Sequence, residues 1–389
     1  MKDTVLILEG QAVQTLIAAK SLYDSGYEVE AICENKSNYG YHSKYLSKRY
    51  VGPSFKDEKA YYDFFFDLVK NHHVDAVLPM ADDSAAFLSK YRDEVRKHTK
   101  VLIPDYTTFE KGYNKNKLQA LCQEKGYPHP ETIDLSDEIL KDEKVIKFPY
   151  PALLKPNFTE GGRGMTRIDD YDALLKIYPE IKAQYGECHL QRFVEPGGHQ
   201  VEVQCFLDDN HNLLYSSVMS KSRWYPVNGG SSSCNISVRN DKIVEICASV
   251  LKDIGWTGFG DFDTIEDPKT GELLILEINP RMPACVKGVV VSGMDYPSII
   301  VDATLGKPLK QYVYKPGKTL RHLGFEMLWF LKSPTRFKTN PSWFKFFGKD
   351  IYYQDLSWND IVPFLCGTWG NIKKLFNPEF SKSKSGLEG

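Results

Sequence analysis

The stretch GDFDTIEDPKTGELLILEINPR, residues 260–281, contains three side chains that could bind a divalent cation. The turn residues DPKTGE separate two apolar runs, a pattern that predicts a β-hairpin. In a hairpin symmetric about this turn, Asp263 lies opposite Glu277, and Asn279 faces the same side because strands alternate with a period of two. Such oxygen ligands suit Mg²⁺ (or Mn²⁺), which also takes oxygens from substrate phosphates. The alternative is a solvated hairpin face, but the apolar surroundings of Glu277 would make an unpaired carboxylate costly.

A lysine followed by a glycine-rich loop, in ALLKPNFTEGGRGM (residues 152–165), indicates a phosphate site. Glycines allow backbone amides to approach phosphate oxygens, and Lys155 at the end of an apolar run could reach them as a point charge. The P-loop pattern is absent, so this would be a different nucleotide cradle, and the loop alone would equally fit an ordinary glycine turn. A loop with few side chains could close over a triphosphate and exclude water.

The polar stretch at residues 220–240 lies between these two motifs and could hold a substrate. Lys221 and Arg223 could meet an anion there. Gly229, Gly230 and Ser231 offer backbone amides and a hydroxyl. The alternative is a polar surface loop.

Two acidic residues, Asp82 and Asp83 in PMADDSAAF, follow a predicted strand. Open α/β sheets bind ligands at the carboxyl ends of their strands. These carboxylates could hold the ammonium group of an amino acid, or they could only begin a helix.

The elements that would position these residues change in character along the chain. Residues 1–110 alternate strand and helix patterns, with strands predicted at TVLILE, YEVEAICE, DAVLPM and VLIPD (101–105), which indicates a parallel α/β domain. Only Gly10 follows the first strand, so no dinucleotide fingerprint is present. Residues 111–310 read as mixed strands, turns and helices, and residues 311–389 are rich in aromatics and lysine.

Composition excludes several classes of protein. The formal net charge of −2 over 389 residues argues against a dedicated nucleic-acid binder. Eight cysteines without a CxxC pair fit reduced thiols, not a disulfide framework or a zinc site. The apolar run near the N-terminus, about five residues, is too short for a signal peptide or a membrane span. We therefore expect a cytoplasmic protein.

The order of the motifs resembles the ATP-grasp superfamily. Lys115, the segment GYPHP, Lys155 before EGGRGM, then LQRFVE, GDFDT and LEINPR follow one another at suitable spacings. The resemblance covers roughly residues 1–310. It implies a mixed α/β and α+β protein with an ATP-grasp fold. The implied parts are a Rossmann-like pre-ATP-grasp domain (1–110), an ATP-grasp domain (111–310) with its lid subdomain at about 140–215, and a C-terminal appendage (311–389).

The resemblance also implies a role for individual residues. Those implied to contact ATP are Lys115, Lys155, Gly161, Gly162, Gly164, Arg192, Phe193, Val194, Glu195 and, less specifically, Glu202. The lysines would meet the phosphates, the glycines would close over them, and the backbone of 192–194 would pair with the adenine edge. The implied metal ligands are Asp263, Glu277 and Asn279. Arg281, together with Lys155, is implied to act in catalysis by stabilising the transferred phosphate.

The chemistry that the resemblance implies is ATP-dependent joining of a carboxylate to an amine through an acylphosphate, with ADP as product. The substrates would be small molecules, an amino acid and an amine or amino-acid acceptor. One alternative is an enzyme like carbamoyl-phosphate synthase or biotin carboxylase that activates bicarbonate, although no second synthetase half and no biotinylation motif are visible. Another is an ATP-binding regulatory module without turnover, against which the intact Lys155, Glu277, Asn279 and Arg281 count.

The C-terminal region suggests a further partner. Residues 331–389 carry nine basic and five acidic residues. The aromatics that interleave with them are Trp343, Phe344, Phe346, Phe347, Trp358 and Trp369. This composition is typical of a segment that contacts a membrane surface or a polyanion. The segment would then bring the protein to a membrane-bound or cell-envelope substrate. The alternative is that the aromatics fold back on the main domain or form a homodimer contact.

Overall fold

The computed structural model describes residues 2–158, 164–227 and 230–375, and it contains three β-sheets within those ranges. The predicted mixture of α/β and α+β architecture is confirmed. In the described part of the chain, no helix combines the length and the apolar character needed to cross a bilayer.

The first sheet is parallel and lies near the N-terminus. Its strands are β1 (Thr4–Ile7), β2 (Glu28–Cys33), β3 (Lys48–Val51) and β4 (Ala76–Leu78), in the order β3-β2-β1-β4. The accompanying helices are α1 (Gln14–Asp24), α2 (Glu58–Asn71), α3 (Asp82–Lys90), α4 (Arg92–Val95) and α5 (Tyr106–Tyr113). All three strand pairings are parallel, as the alternation of strand and helix patterns predicted.

The strand predicted at 101–105 is wrong. Residues 101–105 form no strand, and the pairing with β4 is an isolated bridge between Ala76 and Lys100, the residue before this segment. The fourth strand is instead β3, which pairs with β2. Its four residues, KRYV, include two cations and are only partly buried, so no apolar run marks them in the sequence.

A second, antiparallel sheet follows helix α6 (Lys115–Lys125). Its strands are β5 (Thr132–Leu135), β6 (Ala152–Pro156), β7 (Thr166–Ile168) and β8 (Cys188–Arg192), in the order β5-β8-β6-β7. Helices α7 (Glu143–Ile146) and α8 (Tyr171–Tyr185) belong to the same unit, which has its own apolar core. The strands and helices of this unit lie between residues 132 and 192, and the extent of the lid at about 140–215 stays a prediction.

The third sheet has seven strands and carries most of the candidate site. The strands are β9 (Gln200–Leu207), β10 (Leu213–Tyr225), β11 (Ser231–Val238), β12 (Gly258–Glu266), β13 (Leu273–Asn279), β14 (Thr319–Arg321) and β15 (Ile351–Tyr353). Their order is β13-β12-β9-β10-β11-β14-β15, with only β14 and β15 parallel. The remaining helices are α9 (Asp241–Ile254), α10 (Val286–Val291), α11 (Tyr296–Leu305), α12 (Leu323–Lys332) and α13 (Val362–Leu375).

The region after residue 310 differs from the predicted appendage, because β14 and β15 extend the large sheet. Three-residue strands show no periodicity, which explains why the sequence did not reveal them.

Two apolar cores join the first sheet to the large sheet. One contains Phe65 of α2 together with Trp256 and Phe262. The other contains Ile7 of β1 together with Val289 of α10. Burial of such side chains contributes about 1.5–3 kcal/mol each, so these cores fix the N-terminal domain against the large sheet.

Candidate active site

The β12–β13 hairpin has the register that the sequence predicted. Asp263 pairs with Glu277, and Asp261 pairs with Asn279. The turn DPKTGE connects the two strands, and a register shift occurs only beyond Asp263, toward the turn. The three predicted metal ligands therefore lie on one face of the sheet.

Strand β9 extends this arrangement into two rows of polar side chains. Glu202 pairs with Asp263, and Gln204 pairs with Asp261. One row is thus Glu202–Asp263–Glu277 and the next is Gln204–Asp261–Asn279. Because residues two apart share a face, all six side chains point to the same side.

The second row is closed by hydrogen bonds. The Gln204 amide donates to Asp261 Oδ1 over 2.7 Å, and Asn279 Nδ2 donates to Asp261 Oδ2 over 3.2 Å. Asp261 is fully buried, and burial together with the neighbouring charges of Glu202 and Asp263 raises the pKa of its carboxyl well above the usual range.

Lys221 of β10 bridges the carboxylates of the first row. Its ammonium lies 2.6 Å from Asp263 Oδ1 and 3.0 Å from Glu202 Oε1. Burial alone would raise the pKa of Asp263, but the charge and hydrogen bond of Lys221 lower it to about 2. Burial would likewise lower the pKa of Lys221, yet the two carboxylates raise it well above the usual value. Lys221, which was predicted to bind an anionic substrate, is therefore already paired with Glu202 and Asp263 in this structure.

The two lysines predicted to meet phosphates reach the same place from different elements. Asn114 caps α6 by accepting from the Lys117 amide, which puts Lys115 at the first helical position. Lys115 Nζ lies 3.2 Å from Glu277 Oε2.

Lys155 ends strand β6 of the small sheet, and its Nζ donates to Gln191 Oε1 over 3.0 Å. Its pKa is lowered to about 8, mainly by burial and also by the charge of Lys115, against the attraction of Glu277. A desolvated cation with one neutral hydrogen-bond acceptor is well suited to receive an anion.

Arg281 links the hairpin to the N-terminal domain. Its Nη2 donates to Asn279 Oδ1 over 3.2 Å, and its Nε lies 2.9 Å from Asp82 Oδ1. Asp82, the first residue of α3, is buried, whereas Asp83 is exposed. The structure thus brings Asp82 to the site and leaves Asp83 at the surface.

Part of the predicted glycine loop, including Gly161 and Gly162, lies outside the described residues. Gly164 is described and has φ of +70°. A Cβ atom there would lie 2.7 Å from the Tyr185 ring and 2.9 Å from Pro156, so the position requires glycine.

The predicted adenine hinge follows β8. The Arg192 amide donates to the Glu131 carbonyl and the Phe193 amide to the Pro151 carbonyl, so these two N–H groups are already used. The Arg192 side chain pairs with Asp267 at 2.9 Å. Val194 is buried and Glu195 is exposed. The backbone of Val194 remains the predicted hinge contact.

The prediction for Arg223 is wrong in this structure. Its side chain is 1% exposed and donates twice to Glu326, over 2.8 and 2.7 Å, and also to the Pro341 carbonyl. No guanidinium edge is therefore presented to a substrate. Sequence reasoning missed this because the carboxylate partner is 103 positions away.

The other residues predicted from the 220–240 stretch lie at the β10–β11 turn. Gly229 is outside the described residues. A Cβ on Gly230 would lie 2.5 Å from the Tyr225 carbonyl oxygen, so this glycine serves close packing of the turn. Ser231 begins β11 opposite Tyr225, four residues beyond Lys221 along β10. Their role in substrate binding stays a prediction.

Two functional candidates were missed from the sequence. His189 pairs with Lys155 across β6 and β8, is completely buried and contacts Asn157 Oδ1 through Nδ1 at 2.7 Å. Burial, with the charges of Lys155 and Lys115, lowers the pKa of His189 well below its usual value. Gln191 holds the Lys155 ammonium. The pairing of β6 with β8 determines both contacts, and no local pattern predicts it.

The donor set can be compared with the needs of a cation. Among the described residues, no group of three or more His, Cys, Asp or Glu is arranged to hold a metal ion. The hairpin instead supplies two carboxylates and one amide. Such a set fits a magnesium ion that takes its remaining ligands from phosphates and water.

Comparisons with known proteins agree with this architecture. The family model described as "Carbamoyl-phosphate synthase L chain, ATP binding domain" matches residues 114–310. D-aspartate ligase of Enterococcus faecium (strain Aus0004) is 26% identical over 300 residues, which cover 68% of this chain and 68% of that protein.

Solved structures share the fold. The biotin carboxylase domain of Hydrogenobacter thermophilus 2-oxoglutarate carboxylase, in complex with MgADP, ADP and bicarbonate, has a TM-score of 0.67 at 19% identity. The match covers 82% of this chain and 73% of that one. L-amino acid ligase from Bacillus licheniformis has a TM-score of 0.64 at 16% identity, covering 82% and 78%. The family match spans half of the chain and contains the acidic hairpin and both lysines, so this chain belongs to the family of the carbamoyl-phosphate synthase L chain, ATP binding domain, and has the ATP-grasp fold.

Proposed function

We propose that this protein is a magnesium-dependent ligase that activates the carboxylate of an amino acid with ATP and joins it to an amine. The observation that carries the proposal is the convergence of Lys115, Lys155 and Arg281 on the acidic hairpin, with Asp82 of the N-terminal domain beside Arg281. The likeness to D-aspartate ligase over two thirds of both chains supports an amino-acid substrate.

ATP binding is assigned to the edge where α6, β6 and β8 meet. Lys115 and Lys155 would hold the phosphates, and Val194 would contact the adenine through its backbone. Lys115 now pairs with Glu277, and a triphosphate would compete for that ammonium. Gly164 would belong to the loop that closes over the phosphates and excludes water.

Asp263, Glu277 and Asn279 would hold magnesium together with phosphate oxygens. When bound, the ion neutralises charge on the β- and γ-phosphates and orients them. Lys221 lowers the pKa of Asp263 to about 2, so this carboxylate is ionised at neutral pH, and a metal ion would compete with Lys221 for it.

Phosphoryl transfer needs donor and acceptor to be held in line and the charge on the transferring group to be neutralised. The substrate carboxylate oxygen attacks the γ-phosphorus, the bond to the β–γ bridging oxygen breaks, and ADP leaves. Arg281 would stabilise the transferred phosphoryl group, which is supported by its position two residues after Asn279 and its hydrogen bond to the Asn279 side chain. The amine then attacks the acyl carbon and releases phosphate.

The Arg281–Asp82 pair suggests how a zwitterionic substrate is recognised. An incoming carboxylate would take over Arg281 and leave the Asp82 carboxylate for the ammonium group. If a carboxylate took Arg281 and no ammonium group replaced it, the buried Asp82 would be left as an uncompensated charge. An amino acid supplies both charges, whereas bicarbonate supplies only the negative one.

Activation of bicarbonate is the second candidate function, favoured by the fold that the chain shares with the biotin carboxylase domain. The deciding measurement is phosphate release from ATP, screened over single amino acids, pairs of amino acids and bicarbonate. Release that requires an amino acid supports the proposal, and release with bicarbonate alone overturns it. Tight ATP binding with no release under any condition would indicate a regulatory module.

A further inference from the structure

An exposed apolar surface lies on the segment that follows the β14 strand. Within the described residues, the exposed fractions are 70% for Phe337, 56% for Phe344 and 81% for Phe347. Met327 and Leu331, four residues apart on α12, are exposed by 52% and 66%. We call these five side chains the phenylalanine patch. Apolar side chains exposed together indicate a binding surface more often than isolated ones.

Ring contacts tie part of the patch into one surface. The Phe337 and Phe344 rings are stacked with centroids 6.2 Å apart, and Phe330 lies 5.6 Å from Phe337 and 5.8 Å from Phe344. Phe337 and Phe344 therefore lie side by side over the partly buried Phe330.

The segment that carries the patch is basic in sequence, between Glu326, which is buried against two arginines, and Asp350, which pairs with Lys318. Residues 327–349 contain five basic residues and no acidic residue: Lys332, Arg336, Lys338, Lys345 and Lys349. The whole chain has a formal net charge of −2, so the remainder carries −7. The guanidinium of Arg336 lies 5.5 Å from the centre of the Phe337 ring, which places cation and ring side by side.

The segment is held from its inner side by two buried arginines and a buried tryptophan. Arg321 donates to the carbonyls of Trp343 and Lys345 over 2.8 and 2.7 Å, and Arg223 donates to the Pro341 carbonyl over 2.6 Å. Trp343 is buried and donates through its indole to the Glu326 carbonyl. Phe344 also packs against Trp343, yet Phe337, Phe344 and Phe347 each keep more than half of their surface exposed, which burial in this core does not explain.

We propose that the phenylalanine patch is a docking surface for an anionic lipid bilayer. Phenylalanines at the level of the headgroups with lysines around them combine apolar insertion with attraction to anionic lipids. A two-fold contact between copies of the chain would instead oppose five cations with five cations, which disfavours self-association through this face. The inference is independent of the ligase reaction, because none of the five residues belongs to the site.

The test is co-sedimentation of the full chain with phosphatidylcholine vesicles, with and without phosphatidylglycerol. The expected result is pelleting only with the anionic vesicles, weakened by salt because exposed charges are screened. The triple variant Phe337→Ser, Phe344→Ser, Phe347→Ser and the double variant Lys338→Glu, Lys345→Glu should each lower the partition coefficient by about tenfold or more. The matched control, Lys176→Glu with Lys242→Glu, alters two exposed lysines elsewhere and should bind like the wild type.

Three results would overturn the proposal. One is a wild type that stays in the supernatant with both kinds of vesicle. Another is a set of patch variants that pellet as well as the wild type. The third is a dimer, seen by sedimentation velocity, that the serine variant abolishes, because the patch would then join copies of the chain. Amino-acid-dependent phosphate release by the same variants, measured without lipid, should equal that of the wild type. That readout separates failure of this inference from failure of the proposed function.

Discussion

At the scale of single residues, the site is a set of buried charges that neutralise one another. Lys221 forms ion pairs with Glu202 and Asp263. Lys115 pairs with Glu277, and Arg281 pairs with Asp82. Removing one partner leaves the other buried and uncompensated. Where a partner stays partly exposed, as Glu277 does at 30% in its pair with Lys115, function should fall more than stability; where both partners are buried, stability should fall as well.

Glu277→Gln is the sharpest change to the proposed metal site. It keeps the size of the side chain but removes a ligand charge and the partner of Lys115. We expect magnesium-dependent phosphate release to fall by about 100-fold or more, with a melting temperature close to that of the wild type. Glu272→Gln, at an exposed position in the same hairpin, is the control and should leave release unchanged. Near-normal activity of the Glu277 variant would rule out the hairpin as the metal site.

Lys155 predicts a dependence of ATP affinity on pH. Its pKa of about 8, lowered mainly by burial, lies below the ordinary value of 10.5. The free protein therefore keeps the ammonium below pH 8 and loses it as the pH rises further, so the dissociation constant for ATP should increase above pH 8. Between pH 8 and 10.5 the Lys155 side chain is protonated in the unfolded chain but largely neutral in the folded one. Since the unfolded state binds more protons in this range, Lys155 makes the free energy of unfolding rise with pH between these values.

Titration calorimetry with ATP across this range measures the effect. Lys155→Arg keeps its charge throughout and should give a flatter profile, whatever its absolute affinity. If the wild type and the arginine variant show the same pH dependence, Lys155 does not titrate in this window.

At the scale of elements, the sequence predicted those features that neighbouring residues determine, such as turns and the alternation of strands and helices. The register of Asp263 with Glu277 followed from turn residues and strand period, and the parallel sheet followed from alternating strand and helix patterns. Lys155 followed from the glycine loop after it, whereas Lys115 could be named as a phosphate contact only through resemblance, because no local rule brings the start of α6 to the end of β6. The buried role of Arg223 and the short strands β3, β14 and β15 depend on distant pairings, which the sequence does not show.

The Arg223–Glu326–Arg321 cluster joins β10, β14 and α12. All three side chains are 1% exposed, and Glu326 accepts from both arginines. Glu326→Gln removes the only negative charge of this trio, so two buried guanidinium groups lose their counter-ion. We expect destabilisation of about 3–5 kcal/mol.

Chemical denaturation followed by tryptophan fluorescence measures this loss. Glu245→Gln, at an exposed position on α9, is the control and should change stability by less than about 0.5 kcal/mol. An unchanged denaturation midpoint for the Glu326 variant would show that the cluster does not hold the segment in place.

At the scale of the whole molecule, the N-terminal domain and the large sheet act as one framework around the site. The Gln14 amide donates to the carbonyl of Met80 at the end of the first sheet and approaches that of Met282 beyond the hairpin, at 2.5 and 3.4 Å. Together with the Arg281–Asp82 pair, this contact places the predicted ammonium site against the predicted phosphate site. A rigid junction is what a reaction between two separately held substrates requires.

The region after residue 310 is the largest difference between the sequence interpretation and the structure, and it gives the last prediction. A chain ending at residue 310 loses β14, which covers β11, and with it Leu320, which is completely buried in a core shared with the first sheet. It also leaves Arg223 buried without Glu326. We expect this short chain to be unfolded or aggregated, whereas a chain ending at residue 375 keeps every contact described above and should melt like the full-length protein. Circular dichroism melting and size-exclusion chromatography of the two truncated chains test whether the region after residue 310 is a removable appendage or an integral part of the sheet. A folded, monodisperse chain ending at residue 310 would show that it is an appendage, as the sequence suggested.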